Sequence, residues 1–397
     1  MKKMKWTAAA ALLVSGFAAI PAFAADEVQD FTTRTYNAVE ISSEVLASSP
    51  LYRYDSGLTF EYPDAVRGVF VTGHSAGGAR FERLVDLIDT TDLNAMVIDF
   101  KEDHGNLTYV PEEGSELAKL DIGQPYVKDF RAVLERMEEK QIYPIARVVV
   151  FKDTVLADKK PEWSFLDGNE VWEDSSKASF VNPFMKEVWD YNVDIAIEAA
   201  KLGFKEIQFD YVRFPEGFEN RADTLKYSKG EYTGDDSVQS RVDAVTDFVA
   251  YARERLEPYD VEVSVDIFGY SATLPEAPGI GQNFSKISEN VDVISSMIYP
   301  SHWTSYFGIA KPDLEPYKLV DEYAQVENKK LAELENPPVS RPWLQDFTAP
   351  WLGAGNYLNY GKKEVEAQIK ALNDNGIEEF LLWDATNTYS EGVDYTP

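Results

Sequence analysis

The chain has no cysteine in 397 residues. That excludes disulfides, thiolate metal sites and a cysteine nucleophile, and it leaves buried apolar surface to hold the fold together, which a chain of this length can supply. Histidine is scarce as well, with His74, His104 and His302 making the whole set. They lack the close pairing of a zinc motif, and the acids lack a calcium-loop pattern, so no metal and no other cofactor is expected. Positive charge is short: 38 Lys and Arg stand against 68 Asp and Glu, a formal net charge of −30. Such a surface repels nucleic acid and anionic lipid, and its simplest reading is an acidic, solubilising coat. Long apolar runs are missing after the first two dozen residues.

Those first residues do contain one. Lys2, Lys3 and Lys5 precede an apolar run over residues 7–20, and Ala22-Phe23-Ala24 supplies a small-residue cleavage site before Ala25. Residues 1–24 therefore read as a secretory signal peptide, and the expectation is a secreted or periplasmic protein with no membrane insertion after cleavage. Residues 25–65 have no sustained periodicity and read as an N-terminal extension. The pattern changes at Val66, where a domain over residues 66–390 begins.

From Val66 onward, short β-branched or apolar runs alternate with amphipathic segments. Strands are expected near 66–72, 94–100, 142–151, 206–214, 261–268, 291–299, 341–347 and 378–384, giving eight βα units. Between them, Asn182 followed by Pro183 predicts a helix start, and Gly203 its end; Phe81, Leu84, Val85 and Ile88 form a second stripe; Val365, Ile369 and Leu372, stopped by Gly376, form a third. Helix-to-strand connections are short, whereas strand-to-helix connections such as 101–121, 152–182 and 215–236 are long. This asymmetry selects an α/β fold of the (β/α)8 TIM-barrel type, with long βα loops at the C-terminal face where such barrels build their sites.

Strand faces place the chemistry. In VEVSVDIF, residues 261–268, Val261, Val263, Val265 and Ile267 share one face while Glu262, Ser264, Asp266 and Phe268 share the other. In EIQFDYVRFP, Gln208 and Asp210 oppose Ile207, Phe209 and Tyr211. Both polar rows point into the barrel and carry an aspartate near their C-terminal ends. Asp99, Asp346 and Asp384 fall at other strand ends. Glycosidic bond cleavage needs one carboxyl group to protonate the leaving oxygen and a second to attack the anomeric carbon or activate water. Asp210 and Asp266, on neighbouring strands about 4.8 Å apart at the backbone, are the candidate catalytic pair, Asp210 as nucleophile or electrostatic stabiliser and Asp266 as general acid/base. The alternative for Asp210 is a structural ion pair with Arg213 or Arg147. All three histidines follow strand ends and are expected to line the cleft. Asp99, Lys101, His104, Arg147, Arg213, Tyr299, His302, Trp343, Gln345, Trp383 and Asp384 are the candidate substrate contacts, and Trp303, Trp343, Trp351 and Trp383 could each stack on a sugar ring.

One motif competes. VFVTGHSAGGARF, residues 69–81, carries Gly73-His74-Ser75-Ala76-Gly77 between a strand and a helix, the context of a serine nucleophile elbow. An α/β-hydrolase has several strands ahead of that elbow, and here too little chain precedes Ser75. Gly73, Gly77 and Gly78 then serve only to turn the first strand into its loop. The esterase reading requires a histidine in reach of Ser75.

Six ordered blocks, VRGVFVTG, LNAMVIDFKEDHGNLTY, ARVVVFKD, GFKEIQFDYVRFP, IYPSHW and RPWLQDF, resemble the bacterial putative glycosyl hydrolase domain family over about residues 64–390. A carbohydrate substrate is the expectation of the reading as a whole; the resemblance itself implies a TIM barrel similar to glycoside hydrolases, with Asp210 as a catalytic candidate. It implies the GHSAGG segment as the loop after the first strand. It names no sugar or linkage, and it leaves open a barrel that binds glycan without cleaving it. Oligomeric state is not encoded in any pattern found.

Overall fold

The structure, a computed structural model, describes residues 53–397. The expected signal peptide and the part of the expected extension before residue 53 lie outside the described residues.

Eight parallel strands form the barrel: β1 Arg67–Val71, β2 Ala95–Lys101, β3 Tyr143–Val149, β4 Glu206–Asp210, β5 Glu262–Phe268, β6 Val293–Met297, β7 Trp343–Gln345 and β8 Phe380–Trp383. Each pairs with the next in sequence, β8 returns to β1 through Arg67 opposite Phe380, and a single register pair, Trp343 opposite Met297, joins β7 to β6 and closes the ring. Seven helices follow the first seven strands: α1 Arg80–Asp89, α2 Phe130–Glu138, α3 Lys186–Leu202, α4 Ser237–Leu256, α5 Phe284–Ser288, α6 Pro316–Leu331 and α7 Lys362–Asp374. The eighth unit departs from expectation. No helix follows β8 among the described residues; instead Asn387 and Tyr389 donate to the carbonyl of Phe70 and tie the C-terminal segment across β1.

Strand alternation sorts the core into two layers. Met96, Ile98 and Phe100 of β2, with Val263, Val265 and Ile267 of β5, join the large cluster packed under the helices. Phe70, Val97, Ile145, Trp343 and Leu381 form a smaller cluster inside the ring. Seven-residue strands buried throughout, as in β2 and β3, are what a parallel barrel covered by helices requires. The helices start and stop on local chemistry. Asp129 caps α2 by accepting from the Ala132 amide, Asp236 caps α4 through Val238 and Gln239, and Gly203 ends α3 with φ 119°. A Cβ at Gly203 would also come within 2.7 Å of the Leu58 side chain, which would have to shift. The expected start of α3 shifts: Asn182 donates to the Ser228 carbonyl and accepts from the Phe184 amide, making a turn that delays the helix to Lys186.

At the barrel's N-terminal end the described part of the extension packs onto the domain. Leu58 is buried, Tyr54 donates from its amide to Pro258, and the Tyr62 hydroxyl accepts from Arg341 at 2.8 Å. Arg341 is itself fully buried and bridges Glu206 on β4 and Glu379 ahead of β8, both at 2.7 Å. Charged groups thus seal this end of the ring, and the long loops are left to the other.

Candidate active site

A cavity of about 630 Å³ opens at the C-terminal face, and Asp210 and Asp266 both line it. Asp210 is the last residue of β4. Its Oδ1 accepts from the Tyr211 amide at 2.6 Å, and its Oδ2 accepts from Arg147 Nε at 3.0 Å and Nη2 at 2.6 Å. Tyr211 has φ 52°, a left-handed conformation that few non-glycine residues adopt. Strict alternation sends Tyr211 outward; the left-handed turn brings it into the cavity, where its hydroxyl accepts from Lys152 at 3.2 Å.

Asp266 occupies the matching level on β5. It is buried, and its Oδ1 accepts from Trp343 Nε1 at 2.7 Å. Burial, followed by the neighbouring Asp210 charge, drives its pKa well above the carboxylate range, against the opposing pull of Arg147 and the Trp343 hydrogen bond. Two carboxyl groups in one cavity therefore have different surroundings. One is ion-paired, and the other is desolvated and favours its protonated form.

Arg147, on β3, organises the charge. It meets Asp99 through Nη1 at 2.6 Å, Asp103 through Nη2 at 2.6 Å and Asp210 as above, and its guanidinium lies 5.3 Å from the Trp383 ring. Asp99 is pushed up to about 7, its burial outweighing the guanidinium beside it. Of the expected contacts, Arg147, Arg213, Tyr299, His302, Trp343 and Trp383 line the cavity. Arg213 stands 4.6 Å over the Phe268 ring and 4.9 Å over Tyr211, with Nη2 3.3 Å from Glu216.

Five expected contacts belong elsewhere. Asp99 lies behind Arg147 and not on the cavity wall. Lys101 is fully buried and points to the helix layer, with Nζ 2.6 Å from Asp153 and 2.9 Å from Asn192 on α3, because the β2–β3 register slips between Asp99 and Lys101 and reverses the alternation. His104 is exposed in the β2 loop, where its carbonyl accepts from Thr154 and Val155. Gln345 is fully buried off the cavity wall and accepts from the Ser301 amide while donating to Asp313. Asp384 binds the amide and hydroxyl of Thr386 and shapes the final turn. His74 is likewise outside the cavity, its ring 3.8 Å from Tyr126, so His302 is the one histidine that lines it.

Ser75 does not sit on an elbow. It lies in a short helical turn, Gly73–Ala76; it is buried, and its Oγ lies 3.1 Å from the Thr72 hydroxyl. No imidazole is among its hydrogen-bond partners. Gly77 is required for a separate reason: a Cβ there would fall 1.8 Å from the Tyr126 carbonyl.

The residues that strand patterns missed come from the long loops. Asp103, Glu216, Tyr270, Tyr306 and Phe347 all line the cavity. They follow the ends of their strands by two to nine residues, where periodicity carries no information about direction.

A family model described as a putative glycosyl hydrolase domain matches residues 68–389. Among solved structures, a hypothetical protein from Ruminiclostridium thermocellum is 32% identical over 50% of this chain and 96% of its own, with a TM-score of 0.43. The glycoside hydrolase domain of PgaB (BpsB) from Bordetella bronchiseptica is 15% identical, with coverage of 81% and 94% and a TM-score of 0.56, which shows a shared fold. An α-galactosidase from Thermus thermophilus, in complex with stachyose, is 12% identical over 88% of this chain and 67% of its own, with a TM-score of 0.48. No curated protein matches the chain.

Proposed function

Since the chain belongs to the putative glycosyl hydrolase domain family, matched over residues 68–389, we propose that it hydrolyses glycosidic bonds in an oligo- or polysaccharide with Asp210 and Asp266 as the catalytic pair. The observation that carries this reading is the contrast between the two carboxyl groups on neighbouring strands of one cavity. Asp266, kept protonated by burial and by the Asp210 charge, gives its proton to the leaving glycosidic oxygen. Asp210, paired with Arg147, presents its carboxylate to the anomeric carbon as nucleophile or as a fixed negative charge opposite the oxocarbenium-like transition state, and water, giving a proton back to Asp266, then takes the anomeric carbon and completes the hydrolysis. Tyr299, Trp383 and Arg213 then contact the sugar. The −30 charge and the signal-like residues 1–24 support work outside the cytoplasm on an uncharged or basic glycan.

The test is product analysis on a panel of polysaccharides, by reducing-end release and chromatography. Asp210→Asn and Asp266→Asn should each abolish release while keeping the near-UV circular dichroism of the parent. Full activity in either variant removes that residue from the mechanism.

The Arg147–Asp210 ion pair also favours a second reading, a barrel that binds glycan without cutting it, because a carboxylate so held is a weaker nucleophile. Retained binding with no released ends from any polysaccharide selects that reading.

A further inference from the structure

Trp351 is 64% exposed, and in this it stands apart from Trp343 and Trp383 within the barrel mouth. It lies in the 3-10 turn Pro350–Leu352 of the β7 loop, outside the cavity wall, with its ring stacked on Phe347 at 6.0 Å and 22°. Phe347 does line the cavity, and it meets Tyr299 edge-on at 5.8 Å. Tyr299 in turn lines the same cavity as Asp266. A file of three rings, Tyr299, Phe347 and Trp351, therefore leads from the acid at the centre of the barrel to the outer surface.

Single exposed apolar side chains are common and need no explanation by themselves. Two features set this one apart. Its ring continues an aromatic wall already inside the cavity. The loop that carries it is also pinned from several directions: Gln345 donates to the Phe347 carbonyl, the Tyr360 amide donates to Thr348, Asn356 donates to the Leu352 carbonyl, and Lys311 donates to the Gly355 carbonyl. A loop pinned in this way holds the Trp351 backbone in place, so less entropy is lost when its ring binds. The flat C–H faces of pyranose rings match such a surface.

We infer that Trp351 forms a distal sugar-binding platform, so that the protein engages a glycan several units long, with one unit at Asp266 and others laid along Phe347 and Trp351. This rests on the carbohydrate reading above and names the substrate class within it: a chain and not a single-sugar glycoside.

The full chain, Trp351→Ala and Trp351→Phe are run in native gels containing dextran, xylan, starch, hydroxyethyl cellulose or glycol chitosan, and reducing ends are measured on the same polymers. At least one polymer should retard the parent. Trp351→Ala should raise the apparent Kd for that polymer about three- to tenfold, with the near-UV spectrum otherwise intact, and Trp351→Phe should recover most of the retardation. Equal retardation of parent and Trp351→Ala, or retardation by none of the five polymers, overturns the platform. Reducing-end release by both proteins with equal retardation leaves the hydrolase standing without the platform. Retardation lost in Trp351→Ala, with no ends released even by the parent, leaves the platform standing without the hydrolase.

Discussion

Trp343 Nε1 donates to Asp266 Oδ1 at 2.7 Å, so a tryptophan of β7 reaches across the barrel mouth to fix the acid of β5. This hydrogen bond stabilises the charged form of Asp266 and opposes the burial that raises its pKa. Activity from a general acid falls as pH rises through its pKa. Trp343→Phe keeps a ring but removes the donor, so the pKa of Asp266 should climb further and the alkaline limb of the pH–rate profile should move to higher pH. A limb that moves down, or stays put, takes Asp266 out of the acid role.

Asp99 supplies a pH dependence of stability. Its folded pKa, about 7, lies above the ordinary 3.8 because burial dominates. Between those values the folded protein holds a proton that the unfolded chain has released. The stability from this group is therefore full below about pH 3.8 and is lost as pH rises through about 7. Asp99→Asn is neutral throughout. Urea midpoints measured from pH 4 to 7 should decline less in the variant than in the parent, and parallel decline would falsify the dominance of burial over the Arg147 pair.

The barrel was legible in the sequence because its signals are local and repeated. Apolar alternation, Gly203 and Gly376 after helices, and the contrast between short and long connections each act within a few residues. Asp210, Asp266 and Phe268 were placed by register alone, since inward rows of a closed ring must converge. Lys101 shows where this reasoning breaks: one register slip between Asp99 and Lys101 turns a mouth residue into a core residue. Tyr211 shows the reverse, carried into the cavity by a left-handed residue at the strand's end. Asp103, Glu216 and Phe347 sit in loops, whose paths depend on contacts distant in sequence, such as the Asp103–Arg147 pair.

Lys101 should matter for folding and not for chemistry. Its ammonium and Asp153 are both completely shielded from solvent, 2.6 Å apart. Lys101→Met leaves the Asp153 carboxylate buried without its counter-ion, a loss of about 3–5 kcal/mol, and Asp153→Asn in the same chain should recover part of it. Denaturant unfolding measures both. Turnover per folded molecule should match the parent, and a selective loss of turnover at unchanged stability would return Lys101 to the active site.

Ser75 gives the sharpest separation between hydrolase classes. A serine nucleophile needs a base to take its proton, and here the Ser75 hydroxyl is paired with that of Thr72, which also lies 3.1 Å from Asn387 Oδ1. That arrangement braces the turn after β1 and supplies Ser75 with no base. Ser75→Ala should leave reducing-end release unchanged and cost about 0.5–1.5 kcal/mol for the lost hydrogen bond. A serine-directed phosphonate should leave the protein unlabelled, as judged by intact mass. Labelling at Ser75 together with loss of activity in Ser75→Ala would require a base to approach the turn, and the carboxylate pair would then give up its place in the mechanism.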